Sequence, residues 1–182
     1  MLGHTVADSA RGGDRVALVV LAYFLAAYAS AAWGDYASFH VHASDFSLFD
    51  HLIPNTARGR FMQSEPLLVH FPGCERCNLF GQHSMPLLFA LYPLHRLVGD
   101  PLFLLFLHPL VLWSAAIPLW LWLRTTVDVP LHRVLVLVAF LASFATARIL
   151  HYSFHPVVFY LPAALWLFYF LERRRFAAAF AA

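Results

Sequence analysis

The sequence has little charge and no lysine. Charged residues make up 12% of the chain, whereas 61% of its 182 residues are hydrophobic. A soluble domain has too little interior to bury that much apolar surface, so the composition excludes an ordinary soluble protein. All twelve basic residues are arginine, a bias to which we attach no functional meaning.

Several functional motifs are also missing. We find no glycine-rich phosphate-binding loop, no nucleophile elbow and no pattern typical of nucleic-acid binding. Internal repeats and coiled-coil heptads are absent as well. Nucleic acid is therefore not expected as a partner, and any chemistry must come from individual polar side chains.

Long apolar runs dominate what remains. Each is 16–23 residues long, enough to cross a hydrocarbon core of ~30 Å at ~1.5 Å per residue. The sequence therefore predicts an all-α polytopic transmembrane helix bundle with interfacial helices in its first outer loop. Within the second run, Pro109 and Pro118 predict bends. The four runs cover residues 16–33, 101–123, 131–150 and 156–171.

Both ends of the chain allow two interpretations. Residues 1–15 are predicted to form an unstructured cytoplasmic tail. The run at 16–33 resembles a signal peptide, but its length and the later runs favour a retained anchor. After Arg175 the chain turns apolar again. That segment predicts the start of a fifth span in a truncated protein, with a short interfacial tail as the alternative.

The positions of the arginines predict the orientation. Arginines flank the first run, the segment between the second and third runs, and the end of the fourth. If all three groups face the cytoplasm of a cell membrane, the N-terminus is cytoplasmic and the loop 34–100 is exoplasmic. Four arginines inside that loop weaken the bias, namely Arg58, Arg60, Arg76 and Arg96.

The outer loop contains two short helical patterns. Residues 44–53 place Phe46, Phe49 and Ile53 at helical spacing, with Ser44 able to cap the helix and Pro54 able to end or kink it. Residues 86–98 are apolar but short. We predict that both helices lie in the membrane interface, although the second is also open to a re-entrant or spanning interpretation.

Asp45 and Asp50 are the candidate catalytic residues of the loop. A carboxylate at the membrane surface can serve as a general base or hold a divalent metal ion. Five residues on a helix turn through roughly 140°, so the two side chains diverge and do not form a tight metal pair on a regular helix. Helix capping alone is the alternative role for Asp45.

A second candidate group surrounds the outer end of the third run. Arg148, His151, Tyr152 and His155 are spaced so that one helical face could hold them, unless Pro156 breaks the helix. An arginine and a helix N-terminus at this depth predict a phosphate-binding site. Interfacial snorkelling of these side chains is the alternative.

The loop also contains a CxxC motif, Cys74 and Cys77. We favour a local disulfide or no role over a metal site completed by His70 and His83. His108 lies inside the second apolar run and is an intramembrane candidate, with a hydrogen-bonded packing role equally open.

Five segments together resemble a family of predicted prokaryotic membrane proteins of unknown function, the domain of unknown function 2079. The likeness runs from about residue 16 to the end and covers the N-terminal part of that family's usual length, which again predicts a fragment. The five segments are Asp45-Phe-Ser-Leu-Phe-Asp50-His, Asn55-Thr-Ala-Arg-Gly59-Arg, His83-Ser-Met-Pro86, Phe154-His155-Pro156 and Leu171-Glu-Arg-Arg-Arg.

That family in turn is similar to C-type-fold glycosyltransferases, which take sugar from a polyprenyl-phosphate donor at the exoplasmic face. The resemblance implies that Asp45, or else Asp50, activates the acceptor or binds a divalent metal, and that the sugar carbon inverts. It implies donor-phosphate contacts from basic residues near the outer helix ends. An adjacent acidic pair is missing, and CxxC is not typical of such enzymes. The implied phosphate-binding residues are Arg148, His151, His155 and His83.

A non-enzymatic membrane protein is the alternative, either a lipid carrier or a transporter subunit. Under this hypothesis Asp45→Asn leaves activity nearly intact. Passage of a ligand then depends on intramembrane groups such as His108.

Overall fold

A computed structural model describes residues 2–41, 43–64, 78–79, 85–100 and 102–175. These ranges contain helices, turns and an isolated antiparallel bridge between Gln63 and Asn78, which confirms the all-α prediction. The helices are α1 (Leu2–Ala37), α2 (Ala43–Ala57), α3 (Leu87–Val98), α4 (Leu102–Ser114), α5 (Ala116–Thr126), α6 (Pro130–Leu141), α7 (Phe144–Leu150) and α8 (Tyr160–Glu172), the last following a 3₁₀ turn at Pro156–Phe159.

The chain divides into two compact units. The first unit takes its residues from 1–31, 109–150 and 157–182, and the second from 32–108 and 151–156. The first unit therefore contains most of the apolar helices. The second contains most of the polar loop together with the turn that precedes α8.

Candidate membrane spans match the predicted runs in part. The segments Gly12–Ala37 and Leu102–Thr126 are long and apolar enough to cross a membrane, and the bent pair α6 and α7 is a third candidate if it acts as one span. The fourth predicted run corresponds to Pro156–Glu172, a shorter apolar helical segment. The second unit's α3 is likewise a short apolar helix.

The N-terminal tail was predicted to be unstructured, and this prediction was wrong for the described residues. Helix α1 begins at Leu2 and continues without a break to Ala37. Starting a helix is the costly step, whereas each added residue gains one hydrogen bond. The apolar run therefore supports helix in the polar residues before it, none of which is proline.

The second run is interrupted between α4 and α5, as its prolines predict. Pro118 has no N–H to donate to the carbonyl of Ser114, and its ring crowds that carbonyl. Helix α4 accordingly ends at Ser114, whose hydroxyl turns back to the carbonyl of Val111 at 2.6 Å. Pro109, by contrast, lies inside α4.

The third run is also not one straight helix. Helices α6 and α7 meet at 44°. At the junction, the backbone N–H of Thr146 donates to the Ser143 hydroxyl at 3.1 Å, and the Thr146 hydroxyl donates to the Phe140 carbonyl at 2.8 Å. These side chains offer the backbone an alternative to the helical ladder. The apolar pattern of 131–150 did not reveal this competition.

Side-chain hydrogen bonds to backbone hold the first unit together. The Tyr28 hydroxyl donates to the carbonyl of Leu141 at 2.6 Å, and the Trp113 indole N–H donates to the carbonyl of Leu21 at 2.8 Å. In apolar surroundings such groups have few other partners. Helix α5 packs on both α6 and α8.

The second unit is built on the packing of α2 against α3. Helix α2 confirms the predicted amphipathic helix and extends it past Pro54 to Ala57. Its buried face consists of Phe49, Leu52 and Ile53, whereas Phe46, predicted for that face, is half-buried. The predicted cap, Ser44, lies outside the residues whose side chains are described. From α3, the buried residues are Leu88, Leu91 and His95.

The Asn55-Thr-Ala-Arg-Gly59-Arg segment forms the turn that ends α2. The Asn55 side-chain amide donates to the carbonyl of Gln63 at 3.1 Å, and the Arg60 guanidinium donates to the Asn55 side-chain oxygen. Gly59 has φ 78°, a left-handed conformation that glycine adopts without a steric penalty. The segment therefore has a structural role that is independent of any chemistry.

The buried hydrogen bond of Tyr28 can be tested by Tyr28→Phe. We expect this variant to unfold at lower temperature, with a loss of about 0.5–1.5 kcal/mol, because the Leu141 carbonyl loses its donor. The measurement is the melting temperature in one detergent. Tyr23→Phe is the matched control, since Tyr23 lies on the same helix and is 67% exposed. Equal melting temperatures for the two variants would contradict the role of this bond.

Candidate functional site

The two candidate carboxylates sit on α2, which is held in place by its buried face. Asp45 lies in the first turn of the helix and Asp50 about one and a half turns later. Both residues are half-buried. Because their side chains diverge around the helix, they meet different partners.

Asp50 is paired with a histidine from α3. The distance from His95 Nε2 to Asp50 Oδ1 is 3.4 Å, and the side chains are only 9% and 21% exposed. On its other side, the His95 ring stands edge-to-face to Phe103 with 5.8 Å between centroids. The pair is therefore largely shielded from solvent, with an imidazole facing a carboxylate.

A cavity of about 450 Å³ opens beside this pair, between the C-terminal halves of α2 and α3. This volume is within the range of small-molecule binding sites. The wall combines a carboxylate, an imidazole, a phenol and two guanidinium groups. The polar side chains that line it are Asp50, Arg58, Tyr92, His95 and Arg96.

Asp45 meets the turn that precedes α8. The Tyr152 hydroxyl forms a hydrogen bond with the Asp45 carboxylate. The pKa of Tyr152 is raised above its ordinary value of 10.0, first by the negative charge of Asp45, then by this hydrogen bond and finally by partial burial. Asp45 thus has a positioning contact rather than a place on the cavity wall.

The same turn receives a second carboxylate, from the end of α1. His151 Nδ1 lies 2.6 Å from Asp35 Oδ2. Because the His151 side chain is 55% exposed, water screens the pair and its strength is modest. Its clearest effect is to orient the turn.

His155 and His108 are engaged in packing within the second unit. The backbone N–H of His155 donates to His108 Nδ1 at 3.4 Å. The His155 ring packs edge-to-face on Phe49, with 5.5 Å between centroids, and the His108 ring contacts Phe154. With an exposed fraction of 2%, His108 fits the packing role better than an exposed functional one.

The structure gathers some predicted site residues and separates others. Asp45, His151 and His155 belong to the second unit and surround one turn. The predicted shared helical face was wrong, because α7 ends at Leu150 and the chain turns before the next helix begins. Arg148 is exposed in the last turn of α7, within the first unit. His83, Cys74 and Cys77 lie outside the described residues, as does His70.

Four functional candidates were missed from the sequence: Asp35, Arg58, His95 and Arg96. His95 carried a usable signal, since it follows Leu88 and Leu91 at helical spacing and so occupies the packed face of α3. Asp35 had none, because its partner is 116 residues away. Arg58 belongs to the segment 55–60 that carries the family resemblance, and Arg96 weakens the predicted orientation, but neither pattern indicates a cavity.

Metal binding was left open by the sequence, and it is not supported by the described ranges. Within them, no three His, Cys, Asp or Glu side chains come together as a potential metal site. Among the described residues, the carboxylates proposed to hold a metal contact protein side chains instead: Asp45 meets Tyr152, and Asp50 meets His95.

In the part of the chain that the structure describes, two helices are long and apolar enough to cross a bilayer, and the apolar helices together define an all-α helical membrane protein. Residues 35–182 match the family model described as predicted membrane protein, DUF2079, and the chain therefore belongs to that family. No curated protein and no solved structure matches the chain.

The contact between Asp45 and Tyr152 predicts a pH effect. In the Asp45→Asn variant, Tyr152 should ionise at lower pH than in the wild type, because the main cause of its raised pKa is gone. The stabilisation from this contact should be complete below the unfolded pKa of about 10 and disappear as pH rises through the folded value.

The measurement is the phenolate absorbance as a function of pH. Subtracting the curve of Tyr152→Phe from that of the wild type isolates Tyr152, and the same subtraction is made in the Asp45→Asn background. Identical titrations in the two backgrounds would rule out the contact.

Proposed function

We propose that this protein is a membrane glycosyltransferase that takes sugar from a polyprenyl-phosphate donor at the exoplasmic face of the cell membrane. The donor class comes from the family resemblance. The observation that carries the proposal is the Asp50–His95 pair on the wall of a cavity with two arginines. Such a wall combines proton transfer with anion binding, the two functions that this reaction needs.

Asp50 is the proposed general base. It takes the proton of the acceptor hydroxyl, whose oxygen forms a bond to the anomeric carbon of the sugar. The bond between that carbon and the phosphate oxygen breaks, and the polyprenyl phosphate leaves with the electron pair. A single displacement of this kind inverts the anomeric carbon. His95, 3.4 Å from the carboxylate, orients Asp50.

This proposal exchanges the roles that the resemblance gives to the two carboxylates. The resemblance favours Asp45 as the base. However, the Asp45 carboxylate accepts a hydrogen bond from the Tyr152 hydroxyl, whereas Asp50 lines the cavity. Of the phosphate ligands that the resemblance suggests, His151 is paired with Asp35 and His155 packs on Phe49. The resemblance also allows a divalent metal as cofactor, for which the described residues offer no group of three ligands.

The second candidate function is that of a lipid carrier or transporter subunit. The residue expected to act in that function, His108, is instead engaged in packing. His108 was the intramembrane group expected to act in ligand passage. It is buried, and its Nδ1 accepts the backbone N–H of His155. The activity test below distinguishes a carrier from an enzyme, because a carrier would consume no sugar donor.

The proposed orientation places the N-terminus in the cytoplasm and residues 34–100 outside. Alkaline phosphatase, which folds only in an oxidising compartment, should be active when fused after Asp100 and inactive when fused after Asp128. The phosphatase activity of the two fusions should be measured in intact cells. The reverse pattern of the two fusions would overturn the orientation.

Asp50→Asn tests the catalytic proposal. We expect sugar transfer to fall by roughly 10²–10⁴-fold, the usual contribution of a general base, while donor binding is retained. The measurement is consumption of a panel of polyprenyl-phosphate sugars, by mass spectrometry, in vesicles that contain the protein and a membrane extract as acceptor source.

Asp128→Asn is the matched control, because Asp128 is exposed between α5 and α6. Its activity should equal that of the wild type. A loss in Asp45→Asn with full activity in Asp50→Asn would return the base to Asp45. No consumption by the wild type of any donor would favour the carrier hypothesis.

A further inference from the structure

Two arginines reach the cavity from opposite sides. Arg58 directly follows the end of α2, and Arg96 lies in the last turn of α3. Across the described part of the chain, neither guanidinium group has an ion pair or a hydrogen bond. Both residues are exposed, so the two groups are available to a ligand in the cavity.

The two guanidinium groups, rather than the net charge of the wall, are what would attract an anion. One carboxylate, Asp50, stands against two guanidinium groups, which leaves an excess of one positive charge when His95 is neutral. The ends of α2 and α3 contribute partial negative charge of about one half each at most, which can offset this excess in full. Arg96 and Arg58 also counter those helix dipoles, so a purely structural role is the competing explanation.

Exposed apolar residues on the other side of α3 favour an anion that carries an apolar chain. Phe89, Leu94 and Leu97 are 42%, 48% and 84% exposed and form an apolar face. Arg96 is seven residues after Phe89, so it stands near the same edge of the helix, about two turns away. Phe89 also stacks on the exposed ring of Phe61. An apolar surface therefore adjoins the cationic one.

We infer that the cavity binds the phosphate of a lipid-linked phosphate through Arg58 and Arg96, with the lipid chain lying along the exposed apolar face of α3. Planar guanidinium groups bind phosphate oxygens in pairs, which gives both affinity and geometry. The inference rests on the proposed function and assigns the donor phosphate to this cavity instead of to the region of Arg148. Inorganic phosphate could bind the same guanidinium groups, but it has no apolar part that would contact the apolar face of α3.

Binding of three probes to the purified full chain in nanodiscs tests the inference. The probes are farnesyl phosphate, farnesol and inorganic phosphate. Farnesyl phosphate should bind, and Arg58→Gln and Arg96→Gln should each weaken its binding about tenfold or more, as expected for a charge-assisted hydrogen bond. Farnesol should bind at least about tenfold more weakly than farnesyl phosphate to the wild type.

Arg15→Gln is the matched control, because it removes one exposed positive charge from α1 and should leave binding unchanged. Lysine variants, Arg58→Lys and Arg96→Lys, should recover part of the affinity, since they keep the charge but lose the paired geometry. Unchanged helical circular dichroism in the glutamine variants shows that lost binding is not lost folding.

Full affinity for farnesyl phosphate in both glutamine variants would overturn the inference, as would equal affinity for farnesol. Inorganic phosphate bound as tightly as farnesyl phosphate would overturn the lipid assignment. Because these measurements need no sugar transfer, arginine-dependent binding without transfer would support the site while rejecting the enzyme. Transfer that survives both glutamine variants would do the reverse.

Discussion

The contact between Phe49 and Phe154 is the constraint on which the second unit depends. Both side chains are almost fully buried, at 1% and 0% exposure, and their rings meet edge-to-face at 5.6 Å. Burial of each ring is worth about 1.5–3 kcal/mol, whereas exposed ion pairs contribute about 0–1. The aromatic contact therefore holds the turn before α8 against α2, and the polar contacts of Tyr152 and His151 only orient it.

A second pattern among the described residues is that three aspartates, one at the end of α1 and two on α2, each contact an ionisable side chain. Asp35 meets His151, Asp45 meets Tyr152 and Asp50 meets His95. Partial burial makes an unpaired carboxylate costly, so these partners keep the polar loop compatible with its apolar surroundings. None of the three is an arginine. Among the described residues, Arg58 and Arg96 therefore do not serve as partners of these three aspartates.

Local patterns predicted much of the fold but little of the candidate site. Apolar length identified two of the four predicted spans as helices long enough to cross a membrane, and a third if α6 and α7 act as one span. Spacing identified the amphipathic helix around Phe49, because such patterns depend on neighbouring residues. The break between α6 and α7 was missed, since it arises from hydroxyl groups of Ser143 and Thr146 inside an apolar run. Asp50 was recognised but its partner was not, because the pairing of α2 with α3 is a tertiary contact that no local pattern contains.

The glycine that ends α3 has a consequence for Asp50. Gly99 adopts a left-handed conformation at φ 68°, and its N–H donates to the carbonyl of His95 at 2.8 Å. No atom would obstruct a side chain there, so the demand on this position is conformational only. The residue whose imidazole faces Asp50 is thus also the anchor of the helix terminus. Fraying of that last turn would move the imidazole away from the carboxylate, so the conformation of a solvent-exposed glycine helps to hold a contact between two helices.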